Sequence, residues 1–156
     1  MSSKGPVREQ IKLYEPIKKW LESKGFDVAP DAEKIPVLVK DIFPIRSWIH
    51  PDVIGIKNFE VCVVEVEINL DKIYEVMGKC MLWKTTATYV YIAFPKEKCN
   101  KFKVLKKFGI GLLGVSKDDV EEVIKIFPRE RSLTELHPLN YEKEREFYNQ
   151  IRRIIT

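Results

Sequence analysis

Apolar residues recur along this chain with two different periods, and the alternation between those periods lays out its elements. Leu13, Ile17, Trp20 and Leu21 return at the spacing of one helical face, so a helix is expected from Leu13 to Ser23, stopped at Gly25. Pro16, which has no N–H to donate, fits its first turn. Residues Val7 to Lys12 read as an earlier turn or an extended arm, and Phe26 to Ala29 as a short strand or the approach to one. Three β-like runs follow: Pro36 to Phe43, Asp52 to Lys57, and Phe59 to Ile68, the strongest. A loop with Pro44, Trp48 and Pro51 separates the first two, while Asn58 marks a tight hairpin between the last two.

The second half repeats the alternation. A helix is expected from Asp71 to about Lys84, with Ile73, Met77, Cys80 and Met81 inward and Asp71 favouring the helix dipole at its start. Thr88 to Phe94 reads as a buried strand ended by Pro95. Lys101 to Phe108 reads as a short helix, Ile110 to Val115 as a strand and Val120 to Phe127 as an edge strand. A charged helix over Asn140 to Ile155 closes the chain, its Glu142, Lys143, Glu144, Arg145 and Glu146 forming a solvated, ion-paired surface. There are no internal repeats. The order implies an α/β fold: a mixed central β-sheet flanked by helices on both faces.

Length sharpens this to one domain over 1–156, with its C-terminal helix from about residue 138. A chain of this size buries roughly 70% of its unfolded surface, enough to fold without disulfides or a structural metal. No apolar run approaches the ~20 residues of a membrane span, and no signal-peptide core follows Met1 to Gly5. A cytoplasmic protein with no membrane partner is the expectation. Cys62, Cys80 and Cys99 are widely spaced, without the close pairs of a zinc site, and read as small core side chains. A net charge of +4 permits a polyanionic partner without requiring one.

Candidate chemistry lies in Val61-Cys62-Val63-Val64-Glu65-Val66-Glu67-Ile68. Strand alternation sends Cys62, Val64, Val66 and Ile68 to one face and Val61, Val63, Glu65 and Glu67 to the other. Two carboxylates two residues apart on a strand stand ~7 Å apart and repel unless solvent, a base or a cation lies between them. Asp52 opens the neighbouring run. Three carboxylates on adjacent strands aimed at one edge suit a hard divalent cation; the bland reading is a half-exposed strand whose polar face is acidic.

The order of elements and the string His50-Pro51-Asp52, a gap of 12 residues, then Glu65-Val66-Glu67 resemble the PD-(D/E)XK, or restriction-endonuclease-like, nuclease superfamily. The resemblance spans roughly Leu13 to Val115. It includes Gly78-Lys79, which stands where the family often has Gly-Gln. It implies a restriction-endonuclease-like core with Asp52 and Glu65 as ligands of Mg²⁺ or Mn²⁺, and Glu15 of the first helix as a supporting acid. The family's lysine falls at Glu67, which is then the residue that orients or deprotonates water or holds a second metal. Lys79, one residue after Gly78, is the candidate replacement for that lysine, the bland alternative being a surface lysine.

The implied function is a metal-dependent endonuclease hydrolysing DNA, working as a homodimer where two strands must be cut. The alternative is a catalytically inactive nuclease-fold domain that binds nucleic acid or a protein. Lys96, Lys98, Lys101, Lys103, Lys106 and Lys107 crowd one stretch with Glu97 as its single acid, which could meet phosphates or simply face solvent. Trp48 and Trp83 read as core residues or as base-stacking platforms. His50 shapes its loop rather than binding metal, and His137 precedes a proline far from the acidic run.

Overall fold

The computed structural model describes residues 8–30, 37–40, 46–126 and 138–155. After one helical turn, α1 (Arg8–Ile11), the first full helix is α2 (Tyr14–Ser23). The strands are β1 (Asp27–Val28), β2 (Val37–Lys40), β3 (Arg46–Ile49), β4 (Val53–Lys57) and β5 (Glu60–Val66). They are followed by α3 (Ile73–Trp83), β6 (Tyr89–Pro95), a 3₁₀ segment over Lys96–Phe108, β7 (Gly111–Ser116), β8 (Asp119–Ile124) and α4 (Pro138–Ile155).

Six strands form one mixed sheet in the order β1-β4-β5-β6-β7-β8. β5, β6 and β7 run parallel, and the outer neighbours pair antiparallel. Parallel neighbours require crossovers, which are α3 between β5 and β6 and the 3₁₀ segment between β6 and β7. From Val61 to Val66 every residue of β5 is buried, so both faces of the sheet are covered. Ile17 and Leu21 of α2 fill one side; Cys80 and Trp83 of α3 and Phe147 and Ile151 of α4 fill the other. The α/β class and mixed, helix-flanked sheet expected from the sequence are therefore present.

The β4–β5 hairpin turns in two residues, Asn58 and Phe59, both at positive φ (48° and 68°), the mirror-image turn that matches strand twist. Asn tolerates this region; a phenylalanine there is uncommon. Phe59 belongs to the turn rather than to the strand. It is 78% exposed, and its ring lies 5.3 Å from that of Tyr148 on α4.

Three expectations need correction. The run Pro36 to Phe43 contributes β2, but β2 pairs only with β3, in a separate two-stranded sheet. Part of the expected Pro44–Pro51 loop is therefore strand. Next, α3 sits rotated about its axis: Val76, Cys80 and Trp83 are buried while Met81 is 48% exposed. The bulk of Trp83, fully buried against Phe147 at 5.8 Å, sets that rotation. Finally, the regular strand β5 ends at Val66, one residue short of Glu67. Pro36, Asp41 to Phe43, Pro44, Phe127 and His137 lie outside the described residues, as does the side chain of Trp48.

Candidate active site

The hairpin register opposes Val53 to Val64, so Asp52, the residue before β4, stands across from Glu65. Its backbone N–H lies 3.4 Å from Glu65 Oε2. Both carboxylates are buried, at 8% and 2% exposure. Burying an ionised carboxylate is costly unless its oxygens find donors, and here each oxygen has one. Asp52 Oδ2 accepts from the Val66 N–H at 2.8 Å, and Oδ1 accepts from the Tyr14 hydroxyl at 2.9 Å. Gln10 Nε2 donates in turn to the Tyr14 oxygen at 3.3 Å, so α1 and α2 both brace the aspartate.

Glu65 is served from α3. Lys79 Nζ lies 2.8 Å from Oε1, and Trp83 Nε1 donates to Oε2 at 3.2 Å. Lys79 and Trp83 are four residues apart and share a helical face, so α3 brings both to one carboxylate. The Lys79 side chain is 40% exposed and also reaches the His50 carbonyl at 3.5 Å, so it sits at the mouth of the site. His50 meets the site through its backbone.

The electrostatics follow from burial. Desolvation raises Glu65 to about 7, aided by repulsion from Asp52 and opposed by Lys79 and by the hydrogen bonds from Lys79 and Trp83. Desolvation also raises Asp52, against the Val66 N–H, Lys79 and Tyr14, which favour its charged form. Lys79 is raised: the attraction and hydrogen bond of Glu65 outweigh its own partial burial. Fully ionised, the pair would carry more negative charge than one lysine balances, and it favours holding a proton or another cation.

Of the residues singled out in the sequence, Asp52, Glu65 and Lys79 come together. Glu67 is buried nearby, and its charge raises Asp52. Its Oε2, however, accepts from the N–H groups of Ile68 and Asn69, both at 2.9 Å, closing the turn toward α3. The expected three-carboxylate convergence is a close pair with a third acid beside it. Glu15 is exposed on α2, and its neighbour Tyr14 makes the contact expected of it. Tyr14 and Trp83 are the site residues that sequence reasoning missed. The i, i+4 spacing from Lys79 was an available signal for Trp83; a hydroxyl next to the favoured acid was a weak one for Tyr14.

Asp52 and Glu65 offer oxygen donors only, which suits Mg²⁺ or Mn²⁺. Among the described residues no group of three or more His, Cys, Asp or Glu is placed to hold a metal. Mg²⁺ commonly takes one or two protein carboxylates and completes its shell with water and phosphate, so the pair fits it. The cysteines are poor candidates: all three are buried and unpaired, and burial pushes Cys62 and Cys80 well up and Cys99 to about 11. Among the described residues no helix is long and apolar enough to cross a membrane.

No protein-family model matches the chain, and no curated protein matches it. Two solved structures share its fold. A protein of unknown function from Silicibacter pomeroyi superposes with a TM-score of 0.55 at 17% identity, over 94% of this chain and 88% of that one. An FdxN element excision controlling factor from Anabaena variabilis superposes with a TM-score of 0.52 at 13% identity, over 73% of this chain and 98% of that one.

Proposed function

We propose that the Asp52–Glu65–Lys79 group is the catalytic centre of a PD-(D/E)XK-type nuclease that hydrolyses DNA phosphodiester bonds, built on a restriction-endonuclease-like core. The observation that carries this reading is the 2.8 Å contact between Lys79 Nζ and Glu65 Oε1. The strand has Glu67 where the motif has its lysine, and the contact supplies a lysine to the same carboxylate from the following helix. Mg²⁺ or Mn²⁺, held by Asp52 and Glu65 with Glu67 beside them, would lower the pKa of a water and offset charge gathering on the phosphorus oxygens. The chain's own residues do the rest. Tyr14 and the Val66 N–H fix the Asp52 carboxylate, Trp83 fixes Glu65, and half-exposed Lys79 orients a water or meets a phosphate oxygen.

Two further features fit a DNA substrate. Lys101, Lys103, Lys106 and Lys107 are exposed along the 3₁₀ segment, and Lys98 at its start donates to the Ile68 carbonyl beside Glu67. A basic strip is thereby tied to the site. One fold relative is named as a factor controlling the excision of an element, and the likeness to it is one of fold alone. Cutting both strands would call for a homodimer.

A second reading, a silent nuclease fold that binds DNA or a protein, is favoured by the same contact, since the ion pair with Lys79 offsets the charge of one carboxylate. Labelled plasmid and oligonucleotide incubated with Mn²⁺, Mg²⁺ or EDTA separate the two readings. The nuclease reading expects cleavage that needs the metal and falls at least about a hundredfold in Asp52→Ala. Salt-sensitive DNA binding without cleavage would select the silent domain.

A further inference from the structure

On the opposite face of the sheet, α2 and the strands line an open pocket of about 230 Å³. Trp20 and Phe26 wall it from the helix side, Tyr89 and Tyr91 from β6. The rings meet edge to face, Trp20 with Tyr91 at 5.6 Å and Phe26 with Tyr89 at 6.3 Å. Each tyrosine hydroxyl is tied to a carboxylate: Tyr89 donates to Glu60 Oε2 at 3.0 Å and Tyr91 to Glu122 Oε2 at 2.6 Å. Lys24, Lys57 and Lys125 also line it, as do Leu21, Cys62 and Ile126, and Lys57 Nζ donates one of its hydrogens to the Lys24 carbonyl at 2.7 Å. Lys24 Nζ stands 5.6 Å from the Trp20 ring centre and Lys57 Nζ 5.8 Å from that of Phe26.

The backbone is shaped to hold these walls. A Cβ on Gly111 would stand 2.3 Å from the Tyr91 ring, and one on Gly55 would stand 3.2 Å from Phe26. Gly25, at φ +92°, faces the end of Lys57. A register shift at Leu112/Leu113 sets Glu122 opposite Leu113 and leaves β8 with an extra residue, a device that re-aims side chains near binding sites. Three glycines and a bulge thus make room for wall residues around a space that the core leaves unfilled.

We propose that this pocket binds a nucleoside monophosphate, with the base among the four rings and the phosphate at the lysines. A planar base offers its face and edge to aromatic walls. Glu60 and Glu122 each use Oε2 for a tyrosine, which leaves Oε1 to accept from a base amino or ring N–H group. Lys24 and Lys57, whose ammonium groups already stand near the Trp20 and Phe26 rings, offer N–H donors to a phosphate and occupy the place an organic cation would need. A purely apolar ligand would strand the carboxylates without solvent. The volume falls below the ~300 Å³ at which drug-sized sites begin, so the pocket takes the base, with ribose and phosphate at its rim beside exposed Lys24 and Lys125. This inference goes beyond the nuclease reading and does not depend on it.

The test is calorimetric titration of the full chain in EDTA with AMP, GMP, CMP and UMP, beside inorganic phosphate and choline. At least one nucleotide is expected to bind at least about tenfold more tightly than inorganic phosphate. That binding should weaken at least about tenfold in Lys57→Ala and in Glu122→Gln and stay unchanged in Asp52→Ala, with thermal melts confirming that each variant folds. The proposal is overturned if no nucleotide binds, if phosphate binds as tightly as the nucleotides, if choline takes the pocket in their place, or if both folded pocket variants bind like the parent. Nucleotide binding without DNA cleavage would sink the nuclease reading and leave this one standing; cleavage without nucleotide binding would do the reverse.

Discussion

The two faces of the sheet handle charge in opposite ways, although β5 serves both. On the α3 face, Glu65 and Asp52 are taken almost wholly out of water, and their ionisation depends on a few fixed donors and Lys79. On the α2 face, Glu60 and Glu122 are half-buried at a pocket, each anchored by a tyrosine. Cys62 and Glu65, three residues apart in one strand, face these two environments. Burial without full neutralisation leaves a centre with affinity for cations and protons. Partial burial with neutral partners leaves a recognition surface.

Trp83→Ala should break the acidic face most. It removes a fully buried ring and a donor to Glu65 together, and urea denaturation should show a loss of about 3–5 kcal/mol. An unchanged unfolding midpoint would show that α3 is not what seals the carboxylates.

The next effect is a pH dependence confined to that face. Glu65 is raised from 4.5 to about 7 in the folded state, so the fold holds a proton there that the unfolded chain has already released. The unfolded state then binds fewer protons, and stability must fall as pH rises from about 4.5 through about 7, by up to about 1.4 kcal/mol per pH unit. Asp52, also raised, acts in the same direction. Urea midpoints at pH 5 and pH 8 should differ in the parent and converge substantially in Glu65→Gln. Equal slopes in both proteins would place the proton elsewhere.

Tyr91→Phe, on the other face, removes the hydroxyl bound to Glu122 and should cost about 1 kcal/mol. The loss should be nearly the same at pH 5 and pH 8, because burial and Glu122 push the Tyr91 phenol far above that range. A loss that changes strongly with pH would erase the contrast between the faces. The smallest effect belongs to exposed Glu15: Glu15→Ala should alter stability by no more than about 0.5 kcal/mol and leave metal-dependent cleavage at the parent rate. A large loss of cleavage there would restore the supporting role that the family resemblance implies for it.

How much could be read beforehand divides along physical lines. Strands β4 to β7 announced themselves because both their faces are buried, which makes long apolar runs. Asn58 announced the hairpin because the turn needs positive φ. The β2–β3 pair was harder, since the stretch between Pro44 and Pro51 carries the composition of a loop. Asp52 and Glu65 were legible from strand order and alternation. Glu67 was not, because alternation fixes direction only inside a strand, and its carboxylate is spent on the N–H groups of the turn beyond. Tyr14, braced by Gln10 in α1, depends on how α2 meets the end of the sheet, which no local pattern encodes. The rotation that exposes Met81 depends likewise on a partner, Phe147, from the far end of the chain.

That last contact gives the order of synthesis a chemical meaning. The strand bearing Glu65 and the helix bearing Trp83 leave the ribosome well before residue 147. Until α4 docks, with Phe147 against Trp83 and Tyr148 against Phe59, Trp83 lacks one of its walls and water can approach Glu65. A carboxylate that water reaches holds its proton less tightly than a desolvated one. The final helix therefore bears on the site at one remove: a chain without it keeps Asp52, Glu65 and Lys79 but loses the ring that packs against Trp83, the donor to Glu65.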